Sequence, residues 1–328
     1  MSLRQNPTSK SCRIRVGITI GDPSGIGPAV TLKAVSSLKG LADFVVIGDS
    51  YVLRRWFSLS RIPPSIKIVD LNNVNHNNFA FGKIRAEYGR ASIEYLDKAL
   101  ELARDKEIDC LVTAPISKEA INLAGFHYSG HTEYLAQNTG TRDFVMMLLN
   151  KKLKFSLVTR HIPLKSVSSR LSKSEICKNI KITGNALKRL FFLRRPRIVV
   201  CGLNPHASDN GLIGDEENRI IKPAVEQARK KLKCEIDGPL PSDVAIYKAG
   251  INKYDCIIAM YHDQALIPLK LTGPDSGINL TLGLPFVRTS PLHGTAFDIA
   301  GSFRAANPAS MIAAIKLAVK CTSNQKRD

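Results

Sequence analysis

Short runs of β-branched residues alternate along this chain with longer stretches in which apolar side chains return every three or four positions. The short runs predict strands at 14–20, 44–47, 66–70, 109–113, 144–149, 155–159, 197–202, 255–260 and 278–282. The longer stretches predict helices at 26–37, 87–106, 118–124, 132–137, 173–190, 219–232 and 309–319. Within the second of these, Ala91, Tyr95, Leu96, Ala99 and Leu102 recur at helical spacing and make one apolar face. Ser172 stands three residues before Glu175, a capping-box signal for the helix that follows. Gly125 after Ala124 suits the left-handed residue that ends a helix. Alternation of this kind predicts α/β layers around a largely parallel sheet.

Composition narrows the class. With 328 residues and 44% hydrophobic content, the chain exceeds one ordinary domain and suits two with sizeable cores. No window approaches the ~18 uninterrupted apolar residues of a membrane span. The first dozen residues are polar, lack the apolar centre of a signal peptide, and read as a frayed start. The seven cysteines are an odd number without a C-x-x-C pair, and Cys110, Cys201 and Cys256 sit in apolar runs. That pattern fits a reducing compartment, so the expected location is the cytoplasm, without disulfides or a cysteine zinc site.

The charge balance is 47 Lys+Arg against 28 Asp+Glu, a net +19. Such a balance can mark nucleic-acid binding or attraction of anions. Here the cations come as scattered short groups, at 151–154, 192–197 and 228–233, and aromatic residues make up only 6%. Solvated charge explains them better than a nucleic-acid face, so neither a nucleic-acid nor a membrane partner is expected.

Several segments carry candidate chemistry. GDPSGIGP at 21–28 lies between a strand and a helix; its glycines permit a tight turn, and helix amides attract anions. It is neither a G-x-G-x-x-G fingerprint nor a P-loop, and an ordinary strand-to-helix turn is an equal reading. SGHTE at 129–133 opens a helix, where His131 and Thr132 could donate to a phosphate or carboxylate, or merely cap. His161, His206 and His262 each follow a predicted strand. Positions just past strand ends line the ligand crevice of an open parallel sheet, so three imidazoles there suit a metal such as Zn²⁺ or Co²⁺. Asp263 and Asp243 could orient the ligands or contact substrate. Lys270, Asn279 and Arg288 could bind a phosphorylated or carboxylated substrate, Arg bidentately and Lys as a point charge. Finally, TSPLHGTAFDIAG at 289–301 reads as a loop wrapped on a ligand.

Taken in order, these segments resemble the 4-hydroxythreonine-4-phosphate dehydrogenase family of vitamin B6 biosynthesis. The carrying motifs are GDPSGIGP (21–28), TAPISK (113–118), GHTEYLA (130–136), RHIPLK (160–165), NPHA (204–207), GPLPSD (238–243), YHDQALIPLK (261–270) and INLTLGLPFVRTSPLHGTAFDIAG (278–301). The resemblance implies an isocitrate/isopropylmalate dehydrogenase-like fold, two α/β/α domains with a cleft between them. The expected division is 1–130 plus 285–328 for the first domain and 131–284 for the second. It further implies an oxidoreductase working as a homodimer whose active site draws on both subunits. The cofactors implied are NAD, with NADP as the alternative, and a divalent metal, Zn²⁺ first with Mg²⁺ or Co²⁺ as alternatives.

By matching motifs, His161, His206 and His262 would hold the metal. His131, Thr132, Lys270, Asn279 and Arg288 would bind the phosphorylated substrate, and His293, Gly294 and Asp298 would contact NAD. The reaction implied is oxidation of 4-phosphohydroxy-L-threonine at its C3 hydroxyl, followed by decarboxylation of the β-keto acid. Asp243, Asp263 or a metal-bound water would take the proton. Departures from the family pattern are Ala29 for a usual Glu, Leu292 for a usual Asp, Val244 and Ala245 after GPLPSD, and a missing Gly-Glu-Gly run after NPHA. They spare the histidines but leave a second substrate open, a 4-phosphorylated sugar acid of the threonate or erythronate type. A three-histidine zinc hydrolase would account for the triad and leave the 293–301 loop without a purpose.

Overall fold

The computed structural model describes residues 13–56 and 66–327; the polar start at 1–12, with Cys12, lies outside them. The chain first lays down β1 (Arg15–Thr19), α1 (Gly27–Ser37), β2 (Asp43–Gly48), α2 (Ser50–Trp56), β3 (Ile66–Asp70), α3 (Ala86–Arg104), β4 (Cys110–Thr113), α4 (Lys118–Leu123) and α5 (His131–Asn138). It continues through β5 (Val145–Leu149), β6 (Lys154–Leu157), α6 (Val167–Arg170), α7 (Lys173–Phe191), β7 (Arg197–Cys201), α8 (Lys222–Lys231) and β8 (Glu235–Leu240). Then come α9 (Ser242–Gly250), β9 (Cys256–Ala259), α10 (His262–Thr272), β10 (Ile278–Leu282), β11 (Val287–Pro291) and α11 (Ala309–Gln325).

The described strands form one sheet in the order β3-β2-β1-β4-β11-β10-β5-β6-β9-β7-β8. The block β3-β2-β1-β4-β11 is parallel throughout, as is the block β6-β9-β7-β8. Between them β10 runs antiparallel to both β11 and β5, and β5 runs antiparallel to β6. Two α/β lobes result, joined through a continuous hydrogen-bonded sheet. The chain enters the second lobe once and returns for β11, which lies beside β4.

Burial follows from strands covered on both faces. Val16, Ile18, Val46, Ile47, Leu111 and Val112 are sealed from solvent in the first lobe. In β7, Ile198 and Val200 join the larger core with α7 and α8, while Val199 and Cys201 join a smaller one with α9 and α10. The Ser172 hydroxyl accepts from the Glu175 amide at 3.2 Å, as the capping box requires. Gly125 ends its helix at φ 88°. The six described cysteines are unpaired. No helix among the described residues is long and apolar enough to cross a membrane.

Six elements lack a legible pattern in the sequence. α10 carries Pro268 in its interior, and α2, α6 and α9 are too short to show a period. β8 reads EIDGPL and sits at the sheet edge, where Gly and Pro are tolerated. β11 corrects the loop assigned to 289–301: positions 289–291 are strand, fully enclosed despite their polar side chains.

Candidate active site

Among the described residues Arg288 is the largest fully buried side chain, 1% exposed on β11, and no carboxylate there is in hydrogen-bond contact with it. Its guanidinium donates instead to three hydroxyls: Thr113 at 2.6 Å, Thr281 at 3.0 Å and Thr132 at 3.4 Å. The strand order explains the grouping. Thr281 is the cross-strand partner of Arg288, and Thr113 comes from β4 on the other side. Arg288 Nε, Asn279 Oδ1 and His131 Nε2 are buried without a partner. Burial lowers the guanidinium pKa to about 10, the direction of a cation lacking a counter-ion. His131 is held well below the usual imidazole range by burial first and by the Arg288 charge second, so it is neutral at pH 7. Buried positive charge and orphaned polar atoms thus meet beside the N-terminal turn of α5, a combination suited to an anion.

His161 follows β6 and His262 opens α10 after β9; these strands are neighbours, and the ring centroids lie 5.6 Å apart. Asp263 holds His262 Nδ1 at 2.7 Å. Burial, then the charges of Lys118 and His262, push the His161 pKa down, so its ring nitrogens are available as ligands near neutral pH. Both rings line a cleft with Arg160, Tyr261 and Leu164. The Glu133 carboxylate, in the first turn of α5, favours the charged form of both His161 and Arg288.

His206 follows β7, the next strand beyond β9, but stands exposed on a turn of its own. Residues 206–210 all have positive φ, a left-handed turn built without glycine. The buried Glu217 carboxylate secures its base, accepting from the amides of Leu203 at 2.7 Å and Asn204 at 2.8 Å and from Asn204 Nδ2 at 2.9 Å. Among the described residues of one chain, no group of three His, Cys, Asp or Glu side chains is placed to hold a metal. A single chain therefore pairs His161 with His262 and leaves His206 apart.

Lys270 and Asp243 are exposed, on α10 and in the first turn of α9. The structure gives neither a contact with Arg288 or the histidine pair. In the 293–301 loop, His293 Nδ1 approaches the Gly294 carbonyl at 3.0 Å and Nε2 is an unpartnered buried atom. A Cβ added at Gly294 would meet nothing within 4 Å, so the fold does not demand glycine there. Asp298 is exposed. In the GDPSGIGP turn the Ile26 amide is taken by the Thr295 carbonyl at 2.9 Å. Leu292, where the family usually has Asp, packs on Gly277, and Ala29 is fully buried. Thr113, Thr281, Lys118, Glu133 and Glu217 escaped sequence reading as site residues. Membership in TAPISK and GHTEYLA was the only signal for Thr113, Lys118 and Glu133.

A sequence model of the family described as pyridoxal phosphate biosynthetic protein PdxA matches residues 40–318. The 4-hydroxythreonine-4-phosphate dehydrogenase of Sulfurihydrogenibium sp. (strain YO3AOP1) is 42% identical over 318 residues, covering 93% of this chain and 98% of the relative. The D-threonate 4-phosphate dehydrogenase of Salmonella typhimurium is also 42% identical, over 325 residues, covering 93% and 98%. The crystal structure of 4-hydroxythreonine-4-phosphate dehydrogenase from Klebsiella pneumoniae superposes with a TM-score of 0.84 at 37% identity, covering 95% of this chain and all of that one. Isocitrate dehydrogenase from Methylococcus capsulatus shares the fold alone, with a TM-score of 0.52 at 13% identity.

Proposed function

The chain belongs to the PdxA family of pyridoxal phosphate biosynthetic proteins, and from that premise we propose that it oxidises 4-phosphohydroxy-L-threonine with NAD. The product, 2-amino-3-oxo-4-(phosphooxy)butanoate, loses CO₂ to give 3-amino-2-oxopropyl phosphate. The carrying observation is the buried Arg288 without a carboxylate partner, a site built for a doubly charged group from outside the chain. His131, Thr132 and Asn279 surround the same phosphate, and Lys270 adds its charge. Held there, the phosphate supplies remote binding energy that fixes the reacting hydroxyl in place.

His161, His206 and His262 would hold a divalent metal, Zn²⁺ first with Mg²⁺ or Co²⁺ as alternatives, and the chemistry supplied is Lewis acidity that acidifies a neighbouring hydroxyl. The neutral His161 and the Asp263–His262 bond fit that use, since the carboxylate occupies Nδ1 and leaves Nε2 for a ligand bond. Asp263 and Asp243 are the candidate proton acceptors. NAD, or NADP as the alternative, supplies the hydride acceptor, and His293, Gly294 and Asp298 would contact it. The open space at Gly294 supports close approach of a ligand to the backbone.

A homodimer with a shared site is supported by the separation of His206 from the histidine pair and by exposed Leu164, Leu212, Tyr247, Ile267 and Leu271 in the same lobe. The domain division at 131 and 284 is kept as part of this reading, as is a cytoplasmic location, to which the unpaired cysteines lend support.

A second reading, oxidation of D-threonate 4-phosphate, has equal support from identity, 42% in each case. Both substrates present the 4-phosphate and differ in an amino against a hydroxyl group. The test is NADH formation from each substrate, with and without a chelator. Turnover of the amino substrate at a higher kcat/KM supports the first reading; the reverse order replaces it with the second.

A further inference from the structure

The GDPSGIGP turn makes no contact with the histidine pair and spends its helix amide on the chain itself, yet it is among the most enclosed segments of the first lobe. Ser24 is completely buried. Its hydroxyl donates to the Lys83 carbonyl at 2.7 Å and accepts from the Lys83 amide at 2.8 Å, and its own carbonyl accepts from the Gly82 amide at 2.9 Å. Two residues on, the Ile26 amide holds the Thr295 carbonyl. The fit leaves no slack: a Cβ at Gly25 would lie 2.9 Å from the Thr295 carbonyl, and one at Gly82 would lie 2.8 Å from the Phe297 carbonyl. The 295–297 stretch is thus gripped between the turn on one side and the 82–83 segment on the other. At its start the turn is anchored by the Asp22 amide on the Pro115 carbonyl at 2.9 Å, two residues from the Thr113 hydroxyl that meets Arg288.

We propose that Ser24 is a positioning residue for the dinucleotide: through Lys83 and Gly82 it clamps the 293–301 loop at a fixed distance from the Arg288 pocket, and so governs NAD affinity rather than the chemical step. This rests on the reading of that loop as the NAD site. A loop already held in its bound shape loses less conformational freedom when the dinucleotide docks, so the clamp acts on affinity. Ser24 touches neither partner and acts only through the clamp.

Ser24→Ala removes both Lys83 contacts. We expect its NAD Kd by fluorescence titration, and its KM for NAD, to rise about tenfold. The kcat at saturating NAD and the KM for the phosphorylated substrate should stay within about twofold of wild type. Amides at 293–299 should exchange faster with deuterium while those of β4 and α11 keep their rates. Gly82→Ala presses on the Phe297 carbonyl from the opposite side, at a φ of 68° that strains alanine, and should give the same split; unchanged exchange in β4 and α11 shows in each variant that the rest of the protein is folded. Unchanged NAD affinity in both variants overturns the proposal, as does a loss of kcat at saturating NAD equal to the rise in KM. Asp298→Ala separates the two layers. If it weakens NAD while Ser24→Ala does not, only the clamp falls. If neither weakens NAD although the loop exchanges faster, the cofactor reading of the loop falls and takes the proposal with it.

Discussion

The Arg288 guanidinium donates to the Thr113 hydroxyl at 2.6 Å, bridging β11 to β4 inside the sheet, and no described carboxylate is hydrogen-bonded to it. A buried cation without a counter-ion is a cost to folding that only a bound anion offsets. Arg288→Met should therefore leave the melting temperature at or above that of wild type while raising the KM for the phosphorylated substrate about a hundredfold. Inorganic phosphate should raise the melting temperature of wild type and not that of the variant. A lowered melting temperature in the variant, or phosphate stabilisation that persists in it, contradicts this assignment.

Asp22 gives a pH dependence with a definite sign. It is buried, Oδ2 is unpartnered, and burial pushes its pKa up to about 7, with the Ser24 and Ser117 amides opposing in part. The folded state thus holds a proton that the unfolded chain releases near pH 4. The stability tied to that proton is complete below about pH 4 and is lost as pH rises through about 7. Asp22→Asn cannot ionise, so its melting temperature should gain on wild type as pH rises from 5 to 8. A difference that is flat or shrinks over that range would refute the shift.

Glu217 underpins the turn that presents His206. Glu217→Ala removes three hydrogen bonds from the base of that turn and should destabilise the protein by about 3 kcal/mol. Metal content after dialysis should fall, although the residue is no metal ligand. Glu217→Gln keeps an acceptor oxygen and should lie between the two. Denaturant titration and elemental analysis check both outcomes.

Separation of His206 from His161 and His262 makes a test of subunit sharing. His161→Ala and His206→Ala proteins should each form no NADH. Unfolded together and refolded as mixed dimers, they should recover about a quarter of wild-type activity, because half the dimers are mixed and each holds one intact site. Zero recovery would place all three ligands on one subunit. Chelator should abolish the recovered activity, and added Zn²⁺ or Co²⁺ should restore it.

Local rules carried much of the fold. The capping contact of Ser172 with Glu175 and the buried face of Ala91, Tyr95, Leu96 and Ala99 were legible because each depends on neighbours in sequence. α10 was not, since Pro268 interrupts the pattern that tertiary packing of Ala265 and Leu269 sustains. Of the candidate site, Arg288 and His131 stand in motifs that marked them as candidates. Thr281 was not, because an ordinary strand threonine becomes a guanidinium partner only through the pairing of β10 with β11. The turn at 206–210 was also hidden, for nothing in HASDN suggests five residues in a conformation that side chains disfavour.

The return of the chain from the second lobe to β11 has a consequence for synthesis. β4 waits at the margin of the first lobe, one side unpaired, until everything from β5 to β10 has been made. The second lobe draws nearly all its strands from a single uninterrupted segment and can close while the chain is still on the ribosome. The first lobe cannot, since β11 and the α11 helix packed on it emerge last. Arg288 travels with that late strand, so its hydroxyl cluster with Thr113 and Thr281 is finished only when the nascent protein is nearly complete, and a stalled or truncated product would expose an unpaired edge beside β4 to other chains.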